Sequence, residues 1–242
     1  MTPQVAKQIV YSALPMVHFS QIAGRTITSI YMRKIFSLLP IAISICSFCA
    51  AQQKQSFNLQ QLFKENKLVD FKKTLKAIDD GDKHGVSSEG LAWLKDIHFS
   101  KGTIEVDLRG KDVVQKSFLG IAFHGIDTTH YDIIYFRPFN FRATDSVRKI
   151  HAVQYVSEPD YPWDRLREQQ NGVFEKGINP PPPATDWFHA KIVVGDSDIK
   201  VYVNGASAPS LIVKKLNTRT DGLIGIWNEG LPGDFANLEI SQ

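Results

Sequence analysis

Between Thr103 and Arg109 the side chains alternate without a break: Ile104, Val106 and Leu108 on one side, Thr103, Glu105, Asp107 and Arg109 on the other. A period of two sends one row to a core and the other toward water, as a strand does and a helix does not. The same short-period pattern returns at about 91–94, 117–124, 131–137, 151–157, 187–194, 199–203, 210–214, 222–227 and 235–240. Turn formers separate the runs, among them Gly125-Ile-Asp127, Asn204-Gly205, Asp221-Gly222 and Pro232-Gly-Asp234. Many short strands with little helix predict an all-β fold, an antiparallel β-sandwich of the jelly-roll kind. One short helix is expected at 59–68, where Leu59, Leu62 and Phe63 recur at helical spacing.

The first fifty residues do not share this rhythm. Met32-Arg33-Lys34 opens a basic stretch, Ile35 to Phe48 is almost wholly apolar, and Cys49-Ala50-Ala51 closes it with small residues. This is the layout of a secretory signal peptide at 32–51, and its apolar run of roughly fourteen residues is short for a membrane span. Residues 1–31 read as an over-extended start, 52–69 as a flexible segment with the short helix, and 70–242 as the sandwich domain. The expected location is therefore periplasmic or extracellular, with no membrane span once the signal is removed. Both cysteines, Cys46 and Cys49, fall inside the signal, each preceded by a bulky residue, so neither suits lipid attachment. The exported part has no cysteine and must be held by its core, for which roughly 190 residues suffice.

Charge follows the same boundary. Four of the 28 basic residues (Lys7, Arg25, Arg33, Lys34) and none of the 25 acids lie before residue 52, leaving 24 against 25. No polyanion-binding footprint remains, so nucleic acid is not an expected partner.

The stretch 158–185 breaks the strand rhythm. It holds Pro159, Pro162 and the run Pro180 to Pro183, with a helix-like piece at Trp163 to Gln169. Loops of this length in compact domains are usually functional, and its aromatic residues argue for order. Just before it lie Tyr135-Phe-Arg-Pro-Phe-Asn-Phe-Arg142 and His151-Ala-Val-Gln-Tyr155; within it lies Trp163-Asp-Arg-Leu-Arg167. Aromatic rings beside guanidinium, amide and imidazole groups suit a sugar: apolar faces stack, and planar polar groups bond hydroxyls. A saccharide is thus the expected ligand, bound or turned over.

Several segments resemble the concanavalin A-like lectin/glucanase superfamily: Phe99-x-x-Gly102-Thr-Ile-Glu-Val-Asp107, Phe118-Leu-Gly-Ile-Ala-Phe123, Lys200-Val-Tyr-Val-Asn-Gly205, Gly222-Leu-Ile-Gly-Ile-Trp227 and Phe235-Ala-Asn-Leu238. Within it the chain looks like the branch holding laminin-G-like domains and secreted bacterial 3-keto-disaccharide hydrolase-like domains. The resemblance implies a jelly roll with a saccharide on its concave sheet face, under the 158–185 loop. It leaves three functions open: a glycoside hydrolase-like protein, a non-catalytic lectin-like module, and a laminin-G-like adhesion or scaffold module binding a protein.

Candidate residues follow from these readings. In laminarinase-type glycosidases of the superfamily an acid-x-acid-x-x-acid strand supplies nucleophile and general acid. Here Glu105 and Asp107 match the first two acids, and Gly110 stands at the third. His151, with a near-neutral pKa, and the loop acids Glu168 and Glu175 are the other candidate catalysts. Arg137, Asn140, Arg142, Gln154, Tyr155, Trp163 and Arg167 are the candidate ligand contacts. Alternation from residue 151 puts His151 and Tyr155 on one strand face and Gln154 on the other. No histidine pair has metal-ligand spacing, and no cofactor is expected; Asp79-Asp-Gly-Asp82 offers oxygens of the kind calcium takes, and also reads as a turn.

Overall fold

The computed structural model describes residues 53–72 and 74–242. The segments 1–31 and 32–51, and with them the expected signal and both cysteines, lie outside the described residues. Among the described residues no helix is long and apolar enough to cross a membrane.

The chain forms an antiparallel β-sandwich. In order its strands are β1 (Lys54–Phe57), β2 (Leu68–Asp70), β3 (Lys76–Asp80), β4 (Lys83–Phe99), β5 (Gly102–Arg109), β6 (Ser117–Gly125) and β7 (Tyr131–Phe136). They continue as β8 (Val153–Glu158), β9 (Glu175–Lys176), β10 (Phe188–Val194), β11 (Asp198–Val203), β12 (Leu211–Lys214) and β13 (Gly222–Ser241). Three short helices interrupt them: α1 (Leu59–Lys64), α2 (Ser146–Lys149) and α3 (Trp163–Gln169).

Two long strands join the layers. The first half of β13 pairs with β6, and Asp234 to Ser241 pair with β5. β4 follows β13 on its other side. One layer therefore reads β12-β11-β10-β5-β13 and the other β13-β6-β7-β8-β9. Their inner faces meet in the core, where the rings of Phe136 on β7 and Phe188 on β10 lie 5.1 Å apart, edge to face. Ile104, Val106 and Leu108 are fully buried there, as the alternation requires.

Four local expectations change. The helix expected at 59–68 ends at Lys64, and Leu68–Asp70 is strand β2. Lys54–Phe57, read as part of a flexible segment, is a strand pairing with Leu238 to Ser241. Pro232-Gly-Asp234, read as a turn, lies inside β13; the register against β4 shifts between Asn228 and Gly233. A bulge absorbs the extra residues, and proline is tolerated there because no ladder bond is asked of it. Within 158–185, α3 spans Trp163–Gln169 as expected, but Glu175–Lys176 adds a strand to the sheet edge. Asp79 to Asp82 form the β3–β4 hairpin, where Asp80 accepts from Arg109 (2.6 Å) and Trp187 (3.1 Å). Among the described residues no His/Cys/Asp/Glu group is arranged to hold a metal ion.

One polar network centres on a buried carboxylate. Asp132 on β7 is fully buried and accepts from Tyr155 Oη (3.1 Å), Asn217 Nδ2 (2.6 Å) and Arg219 Nη2 (3.0 Å). His124 Nδ1 lies 3.0 Å from its other oxygen, and His124 Nε2 lies 2.6 Å from the Ser100 carbonyl. Burial alone would raise the Asp132 pKa; the His124 hydrogen bond and the Arg219 charge outweigh it and hold the carboxyl below its ordinary range.

Candidate functional site

The outer face of the β13-β6-β7-β8-β9 layer carries a cleft of about 700 Å³, a size suited to a small-molecule ligand. Strand register builds its floor. Trp227, Gly120, Tyr135, Gln154 and Glu175 stand opposite one another in a single row across five strands. A Cβ on Gly120 would sit 2.0 Å from the Ile134 carbonyl oxygen, so only glycine fits. The Tyr135 and Trp227 rings approach to 5.3 Å on either side of it. Phe118 on β6, with Ile133 and Val156, adds apolar floor.

The walls come from loops. After β7, Pro138 begins a 3-10 turn (Pro138–Asn140) that brings Phe139 and Asn140 to the cleft. Asp145 then caps α2 by accepting the Arg148 backbone N–H at 2.8 Å. α2 carries Val147 and Arg148 to the rim, and α3 carries Trp163 and Arg167. Four residues apart, those last two stack, with the guanidinium 5.1 Å from the indole ring.

A buried ion cluster fastens α3 and β9 to the floor. Glu175, 2 % exposed, accepts from Arg167 Nε (3.0 Å), Arg167 Nη2 (2.7 Å) and Arg137 Nη1 (3.2 Å). Arg137, also buried, donates in addition to Tyr135 Oη (2.6 Å), the His151 carbonyl (3.3 Å) and Gln154 Oε1. Burial would raise the Glu175 pKa; the Arg167 hydrogen bonds and the Arg137 charge more than reverse this. Both Glu175 oxygens are thus taken up in holding two arginines. His151 Nδ1 lies 2.8 Å from Glu175 Oε2 but out of line for a hydrogen bond. Burial lowers the His151 pKa, with Arg167 and Arg137 adding to that and Glu175 opposing. Asn140 donates to the His151 carbonyl (2.9 Å) and accepts from Arg148 Nε (3.1 Å).

The sequence-derived candidates divide. Arg137, Asn140, His151, Trp163 and Arg167 line the cleft, while Gln154 and Glu175 lie beneath it as partners of Arg137. Tyr155 does not: it is fully buried on the core face and donates to Asp132. The strand begins only at Val153, so the alternation does not extend back to His151, and His151 and Tyr155 share no face. Arg142 is exposed and reaches the Pro181 carbonyl (3.3 Å), and Glu168 is exposed on α3 outside the cleft.

Glu105 and Asp107 project from the opposite layer's outer face. His189 bridges them, at 3.1 Å and 2.9 Å, and Lys83 (2.9 Å) and Asn237 (2.7 Å) complete the Asp107 contacts. Burial would raise the Asp107 pKa, but these hydrogen bonds bring it to about 2. This pair is a satisfied charged patch, remote from the cleft.

Phe118, Arg148, Glu158, Trp227 and Glu229 were not legible as site residues, although they line the same cleft. They lie on four elements, β6, α2, β8 and β13, that are distant in sequence and meet only in the fold. Burial first, then the charges of Asp164 and Glu229, raises the Glu158 pKa above the ordinary range.

The chain matches no protein-family profile and no curated protein. It is similar in fold to solved structures. The carbohydrate-binding module CBM66 from Bacillus subtilis shares 17% identity over 69% of this chain and 92% of that one, with a TM-score of 0.47. A Bacillus subtilis protein of unknown function with a galectin-like fold shares 13% over 70% and 86%, TM-score 0.47. Domain 4 of the extracellular arabinanase AbnA from Geobacillus stearothermophilus, in complex with arabinotriose, shares 17% over 81% and 85%, TM-score 0.42. At these identities the likeness is one of fold.

Proposed function

We propose that this is an exported protein that binds a saccharide in the cleft beneath the 158–185 loop. The observation that carries this reading is the lining: the rings of Phe118, Tyr135, Trp163 and Trp227 share one concavity with Asn140, Arg148, Arg167 and Glu229. Flat apolar faces and fixed polar groups in one cleft are what a sugar ring, apolar on its faces and hydroxylated at its edge, requires.

Trp163 is the most telling residue to remove. It is 50 % exposed, so Trp163→Ala should change stability by less than about 1 kcal/mol. Loss of a stacking face should weaken binding about tenfold. Titration calorimetry of wild type and variant against neutral and acidic oligosaccharides tests this. A folded wild type that binds no sugar would turn the search to a protein partner, the adhesion reading.

Hydrolysis is a second reading, favoured by Glu158. A carboxyl with a raised pKa in a ligand cleft suits a general acid, and Glu229 is a second carboxyl in the same lining. On this reading Glu158→Gln lowers turnover by about a hundredfold or more while leaving the dissociation constant nearly unchanged. Unaltered turnover in the variant would remove Glu158 from the chemistry, and absent turnover in wild type would leave a lectin.

A further inference from the structure

The cleft is electrically lopsided. The end built by β7, α2 and α3 carries the guanidinium groups of Arg137, Arg148 and Arg167; the first and last pair with one carboxylate, Glu175. The other nearby acid, Asp145, is turned to the N-terminus of α2 as its cap. Glu158 and Glu229 stand in the lining on other elements, β8 and β13.

The arginines do not play equal parts. Arg137 is enclosed and its Nη atoms are taken up by Glu175, Tyr135, Gln154 and the His151 carbonyl. Arg148 is half-buried and, among the described residues, pairs with no carboxylate; Nε and Nη2 donate to Asn140 Oδ1 (3.1 Å) and the Phe139 carbonyl (2.6 Å). Arg167 gives Nε and Nη2 to Glu175. Among the described residues, Nη1 of Arg148 and Nη1 of Arg167 make no hydrogen bond. Both groups are held rigidly by their other bonds, and both line the cleft. A fixed guanidinium with a spare donor edge is a receptor for an anionic oxygen group; Arg167 offers such an edge beside its pair with Glu175, and Arg148 offers one with no counter-charge of its own.

We infer that the saccharide carries a negatively charged substituent, a carboxylate or a sulfate ester, received between Arg148 and Arg167. This rests on the reading of the cleft as a saccharide site. The sugar ring then lies toward Trp163 and Trp227, with its anion directed to the α2 side. Arg137 acts as a positioning residue that holds Glu175, and through it Arg167, in place.

The test is titration calorimetry of the folded chain at low salt. The probes are a neutral xylo-oligosaccharide, an oligogalacturonate and a sulfated galactan oligosaccharide of matched length. The expected result is at least about tenfold tighter binding of one anionic probe than of the neutral one, since hydrogen bonds to charged groups are the strong ones. The tighter of the two anionic probes identifies carboxylate or sulfate as the substituent. Arg148→Gln should abolish the preference and Arg148→Lys should restore part of it, with melting temperatures near wild type. Equal binding of neutral and anionic probes, or a preference that survives Arg148→Gln, overturns the inference and leaves the saccharide site standing. Silence toward all three probes overturns both. Should Arg148→Gln not fold, salt decides on the wild type: a preference unchanged at high ionic strength is not electrostatic and also overturns the inference.

Discussion

Glu175→Gln should cost about 3–5 kcal/mol of stability, the usual penalty for removing one partner of a buried ion pair. For a chain of this size that is a fall in melting temperature of about 6–20 °C. The substitution keeps shape and removes charge. Arg167, which is partly exposed, can swing to water, but Arg137 is 4 % exposed and, among the described residues, has no other carboxylate. Its remaining acceptors are the Tyr135 hydroxyl, Gln154 Oε1 and the His151 carbonyl. These are neutral and leave the guanidinium charge uncompensated in a low-dielectric site. Chemical denaturation with urea measures the effect. A loss below about 1 kcal/mol would mean that those three neutral acceptors suffice to hold Arg137.

Asp132→Ala is expected to be at least as damaging, again about 3–5 kcal/mol. It removes the acceptor of Tyr155, Asn217 and Arg219 and the partner of His124 in one step. It also sits where the β7–β8 pair meets the loop after β12, so the loss is not local. Both carboxylates have folded pKa values below their ordinary range. Their contribution is complete above the unfolded value near about 4 and is lost as pH falls through the folded value. Wild type should therefore lose stability on acidification below about pH 4, and Asp132→Ala should show a shallower acid limb. An equally steep limb in the variant would assign acid lability to other carboxylates.

The sandwich was legible because burial dictates it residue by residue. Thr103 to Arg109 could not alternate as they do and be anything but a strand with one wet face. β1 escaped notice because Lys54-Gln-Ser-Phe57 has one apolar side chain and is held by backbone pairing to the far end of the chain. β13 was divided in two because Pro232-Gly-Asp234 has turn chemistry, and only the neighbouring strands show that it is a bulge. At the site, the run Arg137 to Asn140 gave most of one wall because those residues are close in sequence. Trp227, Glu158 and Arg148 come from three other elements, and their meeting depends on strand register and on the placing of α2, which no local pattern encodes. Tyr155 was misplaced for a related reason: counting from His151 assumes a strand that begins two residues later.

The position of β13 has a consequence for how the molecule is made. β13 is the last of the described strands, and it pairs with β1, β4, β5 and β6. During synthesis the neighbours on both of its sides leave the ribosome well before the strand that belongs between them. The nascent chain can form hairpins such as β6–β7, yet neither layer can close until residues 222–241 have emerged. Up to that moment the edges of β5 and β6 are unpaired strands that attract one another or another chain. Completion is then abrupt, because one strand satisfies four partners at once, and the cleft row acquires Trp227 in the same event.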